Sequence, residues 1–191
     1  MRCLSCQKFS TRVICRRCHE RLFQPSVSTR KAGSLDVISL FGYRSVSSFI
    51  LSKHYPAGYR IYRYFAREHF APFLQAFSEG LEQEAYLIGI DGKPAGGYAH
   101  TAVLSRYAAV PGLRALPASL IARHRVDYAG KSLQFRLENP RDFEYRGPRG
   151  IQAILIDDLV TTGSTLAEAH RLLQRSGVEV LFALVLADAR Y

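Results

Sequence analysis

An α/β fold is what this sequence predicts: a parallel sheet flanked by helices, with a small cysteine-bearing module at the N-terminus. Three observations predict it. Short apolar runs alternate with segments of helical periodicity, the pattern of a parallel sheet covered on both faces. All four cysteines fall within the first eighteen residues, as Cys3, Cys6, Cys15 and Cys18. The chain of 191 residues is long enough for one sizeable core with a small appendage.

The cysteines read C-x2-C-x8-C-x2-C, with "QKFSTRVI" between the pairs. Each C-x2-C lets two thiolates converge on one tetrahedral ion, and two pairs complete a closed four-sulfur zinc site. So small a segment cannot hold itself together by burial, so the metal supplies its folding energy. Four sulfur ligands leave no open position for chemistry, which makes the zinc structural. His19 is a neighbour of the site rather than a ligand. The module is expected over residues 1–24, a linker punctuated by Pro25 and Gly33 over 25–34, and the main domain over 35–191.

Along that domain, "LDVISLFGY" (35–43) alternates as a strand does. The segment 59–81 has helical spacing interrupted by Pro72 and reads as a helix or two, and "AYLIGID" (85–91) is a short buried strand. A helix is expected over 99–110 and a strand over 118–124. The C-terminal part reads strand (151–158), amphipathic helix (164–177, stopped by Gly177), strand (178–188).

The junction within that last unit, "ILIDDLVTTGST" (154–165), is the most informative stretch. Three apolar residues run into two adjacent, mutually repelling aspartates. Ligands of such folds bind where strands end. The turn Thr161-Thr162-Gly163 and the helix start at Ser164-Thr165 offer backbone N–H groups to a phosphate, with hydroxyls as further donors. Asp157 and Asp158 sit one short loop away, where a ribose attached to that phosphate carries its hydroxyls, and carboxylates can help hold a magnesium ion there. A ribose 5-phosphate satisfies every one of these features. A plain helix cap explains neither the paired acids nor the run of hydroxyls.

This run resembles the phosphoribosyl pyrophosphate (PRPP) motif of type I phosphoribosyltransferases. The resemblance implies that Asp157 and Asp158 contact the ribose hydroxyls as the catalytic pair, with magnesium, while Thr161, Thr162, Gly163, Ser164 and Thr165 cradle the 5-phosphate. A second loop should grip the pyrophosphate; "GKPAGG" (92–97), with Lys93, is the candidate. The order of four-cysteine module, linker, basic middle and terminal PRPP motif resembles the late-competence ComF-type proteins along the whole chain. Where that family has an R-G-F-N-Q-like stretch, this sequence has "GGYAHTAVL" (96–104), so Gly96 stands for the arginine, and Ala99 and His100 replace the amide pair. The family's R-x-x-N-x-x-x-F element matches Arg136, Asn139 and Phe143.

That resemblance implies an accessory of natural transformation that is cytoplasmic, with a peripheral position at the inner membrane as the alternative. It would act on incoming single-stranded DNA beside the uptake channel or other competence proteins. The charge fits: net +10, with eight basic residues against Glu20 in 1–31 and nine against four acids in 106–149. Tyr43, Tyr55, Tyr59 and Tyr62, interleaved with Arg44, Lys53, Arg60 and Arg63, are candidates for stacking bases and holding the strand. No run is long and apolar enough to span a membrane, and MRCLSC lacks the apolar core of a secretory signal. The rivals are a metabolic phosphoribosyltransferase that passes phosphoribosyl from PRPP to a nucleobase, and a non-catalytic PRPP sensor.

Overall fold

The structure, a computed structural model, describes residues 1–90, 98–124 and 141–191. The expected α/β architecture is present. After a short N-terminal helix α1 (Arg16–Leu22) come β1 (Ser28–Ala32), β2 (Leu35–Gly42), α2 (Tyr43–Leu51), α3 (Pro56–Phe65), α4 (Ala71–Ser78), β3 (Ala85–Gly89) and α5 (His100–Ala108). The short strands β4 (Leu113–Ala115), β5 (Leu120–Ala122) and β6 (Phe143–Tyr145) lead to β7 (Ile151–Val160), α6 (Ser164–Arg175) and β8 (Val178–Asp188).

Six strands form one sheet in the order β1-β2-β8-β7-β3-β4. The pairs β2–β8, β8–β7, β7–β3 and β3–β4 are parallel, and β1 is added antiparallel at one edge. The continuous apolar runs of β7 and β8 are explained by burial on both faces. Successive side chains alternate sides: Ile154 and Ile156 join one cluster with α2–α5, while Ala153 and Leu155 join the other with α6 and the separate antiparallel pair β5–β6. Helix α6 buries Leu166, Ala169, His170 and Leu173, the spacing of a single helical face, and ends where Gly177 adopts φ +76°.

One stretch differs from the sequence expectation for an identifiable reason, and a second follows it with a local irregularity. Part of the segment read as a linker is β1, a polar edge strand (STRKA) whose residues face solvent alternately; its lack of an apolar run hides it. The one or two helices expected over 59–81 are α3 and α4, with Pro72 in the first turn of α4. A π-helical turn over Ala66–Phe70 joins α3 to α4, and the wider spacing before Pro72 accommodates its missing N–H.

The cysteine module packs on the α2–α5 side. Cys3, Ile14, Cys18 and Phe23 are buried in the same cluster as Tyr64 and Phe65. The Phe23 ring meets Phe49, Phe65 and Tyr64 edge-on at 5.0, 5.4 and 5.7 Å between centroids. No helix among the described residues is long and apolar enough to cross a membrane.

Candidate functional site

The parallel order places the carboxyl ends of β3 and β7 side by side, with Ile90 N–H donating to the Ile156 carbonyl at 3.0 Å. Here β7 delivers Asp157 and Asp158, and α5 delivers His100 as its first residue. One carboxylate oxygen from each aspartate and a ring nitrogen of His100 all lie within 4.8 Å of one another.

The two acids are not equivalent. Asp158 is buried, and its Oδ2 accepts from Lys53 Nζ at 2.8 Å and from the Tyr62 hydroxyl at 2.8 Å. His100 Nε2 lies 3.6 Å from the same oxygen. Burial alone would raise the Asp158 carboxyl, but His100 and Lys53 outweigh it and hold the group well below its ordinary value. Asp157 is half-buried, and its Oδ1 accepts the backbone N–H of Asp158 at 2.8 Å. Burial and the charge of Asp158 push its carboxyl up, from 3.8 to about 7, against the opposing pull of His100. The cost of setting two carboxylates side by side is thus met by fixing the charge on one and raising the proton affinity of the other.

This asymmetry predicts a pH dependence. The folded chain keeps a proton on Asp157 that the unfolded chain gives up at its ordinary pKa, so this group's contribution to stability is largest in acid. It declines as pH rises through the window from 3.8 to about 7, then levels off. Urea denaturation midpoints measured across that window should fall less steeply in Asp157→Asn than in the unsubstituted protein; equal slopes would contradict the shift.

Beyond Val160 the chain turns through Thr161 and Thr162 into Gly163, which is the N-cap of α6 with φ +83°. The N-cap glycine has no side chain to cap this helix; the Ser164 N–H instead reaches the Thr162 hydroxyl at a long 3.4 Å. The Thr162 and Ser164 hydroxyls lie 3.0 Å apart at its mouth. Arg30 of β1 supports the turn from behind, donating to the Thr161 carbonyl at 2.7 Å and to the Asp188 carboxylate at 3.3 Å. Burial would raise the Asp188 carboxyl, but Arg190 and Arg30 hold it below its ordinary value.

Gly163 is required twice over: its φ is in the left-handed region, and a Cβ there would come within 2.9 Å of the Ala32 Cβ. Gly163→Ala is expected to cost roughly 1–2 kcal/mol from the backbone conformation alone. Chemical denaturation of that variant measures the loss.

Asp157, Asp158, Thr161, Thr162, Gly163, Ser164 and Thr165 therefore form one continuous stretch of strand end, turn and helix start. Lys93, Gly96, Arg136 and Asn139 lie outside the described residues, while Phe143 is buried in β6. Sequence reasoning missed that Lys53, Tyr62 and His100 converge on Asp158. Their interleaving with other aromatic and basic residues suggests that Lys53 and Tyr62 hold a nucleic-acid strand, but Tyr62 is fully buried and Lys53 is engaged in an ion pair, so neither is available for that role.

The second candidate centre is the cysteine module. The four Sγ atoms lie within 4.8 Å of one another, and Cys6 and Cys15 are 3.8 Å apart. A tetrahedral zinc with Zn–S bonds of about 2.3 Å separates its sulfurs by about 3.8 Å. The residues fit that ion, and none of the four is in a disulfide. His19 is turned away from it: its Nδ1 lies 2.6 Å from the Tyr64 hydroxyl, and its ring stacks on His69 at 5.4 Å.

Searched against known protein families, the chain matches no family model. It is 34% identical over 68 residues to a protein described as transcriptional regulator GfcR from Methanocella arvoryzae, covering 36% of this chain and 32% of that protein, so it spans about a third of that relative. Among solved structures, Leishmania donovani UMP synthase is similar at 24% identity, covering 73% of this chain and 24% of that one, with a TM-score of 0.42. Saccharomyces cerevisiae adenine phosphoribosyltransferase is similar at 12% identity, covering 86% and 85% respectively, with a TM-score of 0.45. At these values the assignment of an α/β parallel-sheet fold rests on the chain's own strand order.

Proposed function

We propose that the chain binds PRPP, with magnesium, at the junction of β7 and α6, and that it serves as an accessory of natural transformation that also binds single-stranded DNA. The observation that carries the PRPP reading is the glycine-capped, hydroxyl-lined start of α6 directly beyond a carboxylate pair of which one member is left for a ligand. In this reading the N–H groups and hydroxyls of residues 161–165 hold the 5-phosphate. Asp157 accepts from a ribose hydroxyl. Asp158 acts on the ribose through its fixed negative charge, which Lys53, Tyr62 and His100 orient.

Magnesium, a hard cation that keeps few protein ligands and binds largely through substrate oxygens, would neutralise the pyrophosphate beside Asp157. The four-cysteine module holds a structural zinc. The transformation role is supported by the order of modules and by the two basic blocks of the sequence.

Calorimetric titration with PRPP and magnesium tests the reading. In buffer more basic than the value of about 7 to which the Asp157 carboxyl is pushed, one equivalent should bind, and Asp157→Ala should bind at least tenfold more weakly, the loss of a charge-assisted hydrogen bond of about 1.5–3 kcal/mol. Unchanged binding in the variant would overturn the site assignment. Incubation with PRPP and a panel of nucleobases separates the metabolic rival: rapid pyrophosphate release with one base would make the chain a salvage enzyme. A deletion strain that grows normally but fails to transform is the outcome the accessory role requires.

A further inference from the structure

A groove unrelated to the PRPP site lies between the cysteine module and α3. Its cavity of about 500 Å³ is lined by Arg12 from the spacer of the module and by Arg60, Arg63 and Arg67 from the helices, with Glu68 the one acid among the lining residues. The four arginines are exposed, and among the described residues no carboxylate lies within ion-pair distance of any of them. The Arg63 and Arg67 guanidinium groups both lie over the Tyr107 ring, each 5.1 Å from its centroid. At Arg12 the groove opens into a second depression lined by Phe9 and Arg16. Phe9 is 87% exposed at the tip of the module, with Arg2 lying 5.5 Å from its ring centroid.

We propose that this groove is the binding track for a single-stranded nucleic acid, its phosphates running along Arg12, Arg60 and Arg63 and a base stacking on Phe9. The inference rests on the nucleic-acid part of the proposed function and places it. Two features select this ligand. Residues 60 to 67 extend over about 10 Å of helix, too far for one compact phosphate to meet them all, whereas a chain of phosphates can. An exposed aromatic ring at the end of a cationic track is the arrangement on which unpaired bases stack, and bases in a duplex present no free face to it. The zinc module acquires a purpose beyond its own folding: it forms one wall of the groove and presents the stacking ring.

The test uses the full-length zinc-loaded protein and a fluorescent oligothymidylate, with affinity read by anisotropy over a range of salt concentrations. Replacing Arg12, Arg60 and Arg63 together by Gln should weaken binding tenfold or more and reduce the salt slope by about 2, since each phosphate contact on a single strand contributes about 0.7. Phe9→Ala should weaken binding about tenfold with the salt slope unchanged. Removing two charges elsewhere, with Arg171→Gln and Arg175→Gln on α6, should change affinity by less than about threefold. PRPP titration of each variant should match the unsubstituted protein.

If the triple variant binds the oligonucleotide as the unsubstituted protein does, the groove assignment fails while the proposed function stands. If the unsubstituted protein does not bind it at all, both this inference and the nucleic-acid part of the proposed function fail, and the PRPP reading is judged on its own titration. A duplex bound as tightly as the single strand also overturns the assignment, because it removes the role of Phe9.

Discussion

Stripping zinc from the four-cysteine site is expected to lower the melting temperature by roughly 10 °C or more and to disturb the helical layer beneath the module. The reason lies in the packing. Cys3 and Cys18 are buried in the same cluster as Phe23, Tyr64 and Phe65, so the metal site is continuous with the core. Once the thiolates lose their common ion, nothing in a module this small holds α1 in place, and Phe23 leaves its contacts with Phe49, Tyr64 and Phe65. Truncating that ring alone, in Phe23→Ala, is expected to cost about 3–5 kcal/mol, or about 2–4 °C per kcal/mol in a chain of this size.

Thermal melts with and without a zinc chelator, beside melts of Phe23→Ala, measure both effects. A chelated protein that melts where the zinc-loaded one does would mean the module is independent of the core. Because Tyr64, bonded to His19, is two residues from Tyr62, bonded to Asp158, loss of zinc should also weaken PRPP binding.

Asp158→Ala is the second large effect, with an expected cost of about 3 kcal/mol. Removing the carboxylate leaves the Lys53 ammonium, only 24% exposed, without its partner, and the Tyr62 hydroxyl with the Ile50 carbonyl alone at 3.1 Å. The value sits at the low end for a buried pair because water still reaches Lys53. Replacing both partners, with Lys53→Met and Asp158→Leu, should recover much of the loss, since no charge is then stranded. Denaturant midpoints of the two single variants and the double variant form the cycle that checks this. If Asp158→Ala alone left stability unchanged, the pair would contribute nothing to the fold. The same arithmetic explains why Asp157, which the Lys53 ammonium does not bond, is the better position at which to probe ligand binding.

The β7–α6–β8 unit was legible in the sequence because its signals are local. An uninterrupted apolar run, a hydroxyl-rich turn with one glycine and a clean helical period need no knowledge of distant residues. The edge strand β1 was not legible, since a strand that alternates Ser, Thr, Arg and Lys reads as polar loop until its partner β2 is known.

The candidate site divides along the same line. Residues 157–165 are contiguous and announce themselves. The groups that set the ionisation of Asp158 come from Lys53 and Tyr62, 105 and 96 residues away, and from the other side of the neighbouring strand end in His100. A buried tyrosine hydroxyl on the apolar face of α3 was the one available signal, and it is indistinguishable in sequence from an aromatic that stacks on a base. The cysteines were legible because their spacing alone encodes a tetrahedron.

The central claim is that a strand-end carboxylate and the turn after it seat a phosphorylated sugar, and a crystal structure of the protein soaked with PRPP and magnesium tests it most directly. The account predicts the 5-phosphate within hydrogen-bonding distance of the backbone N–H groups of residues 162–165 and a ribose hydroxyl on the Asp157 carboxylate. Electron density for the ligand elsewhere, with Asp157 untouched and the start of α6 vacant, would contradict it.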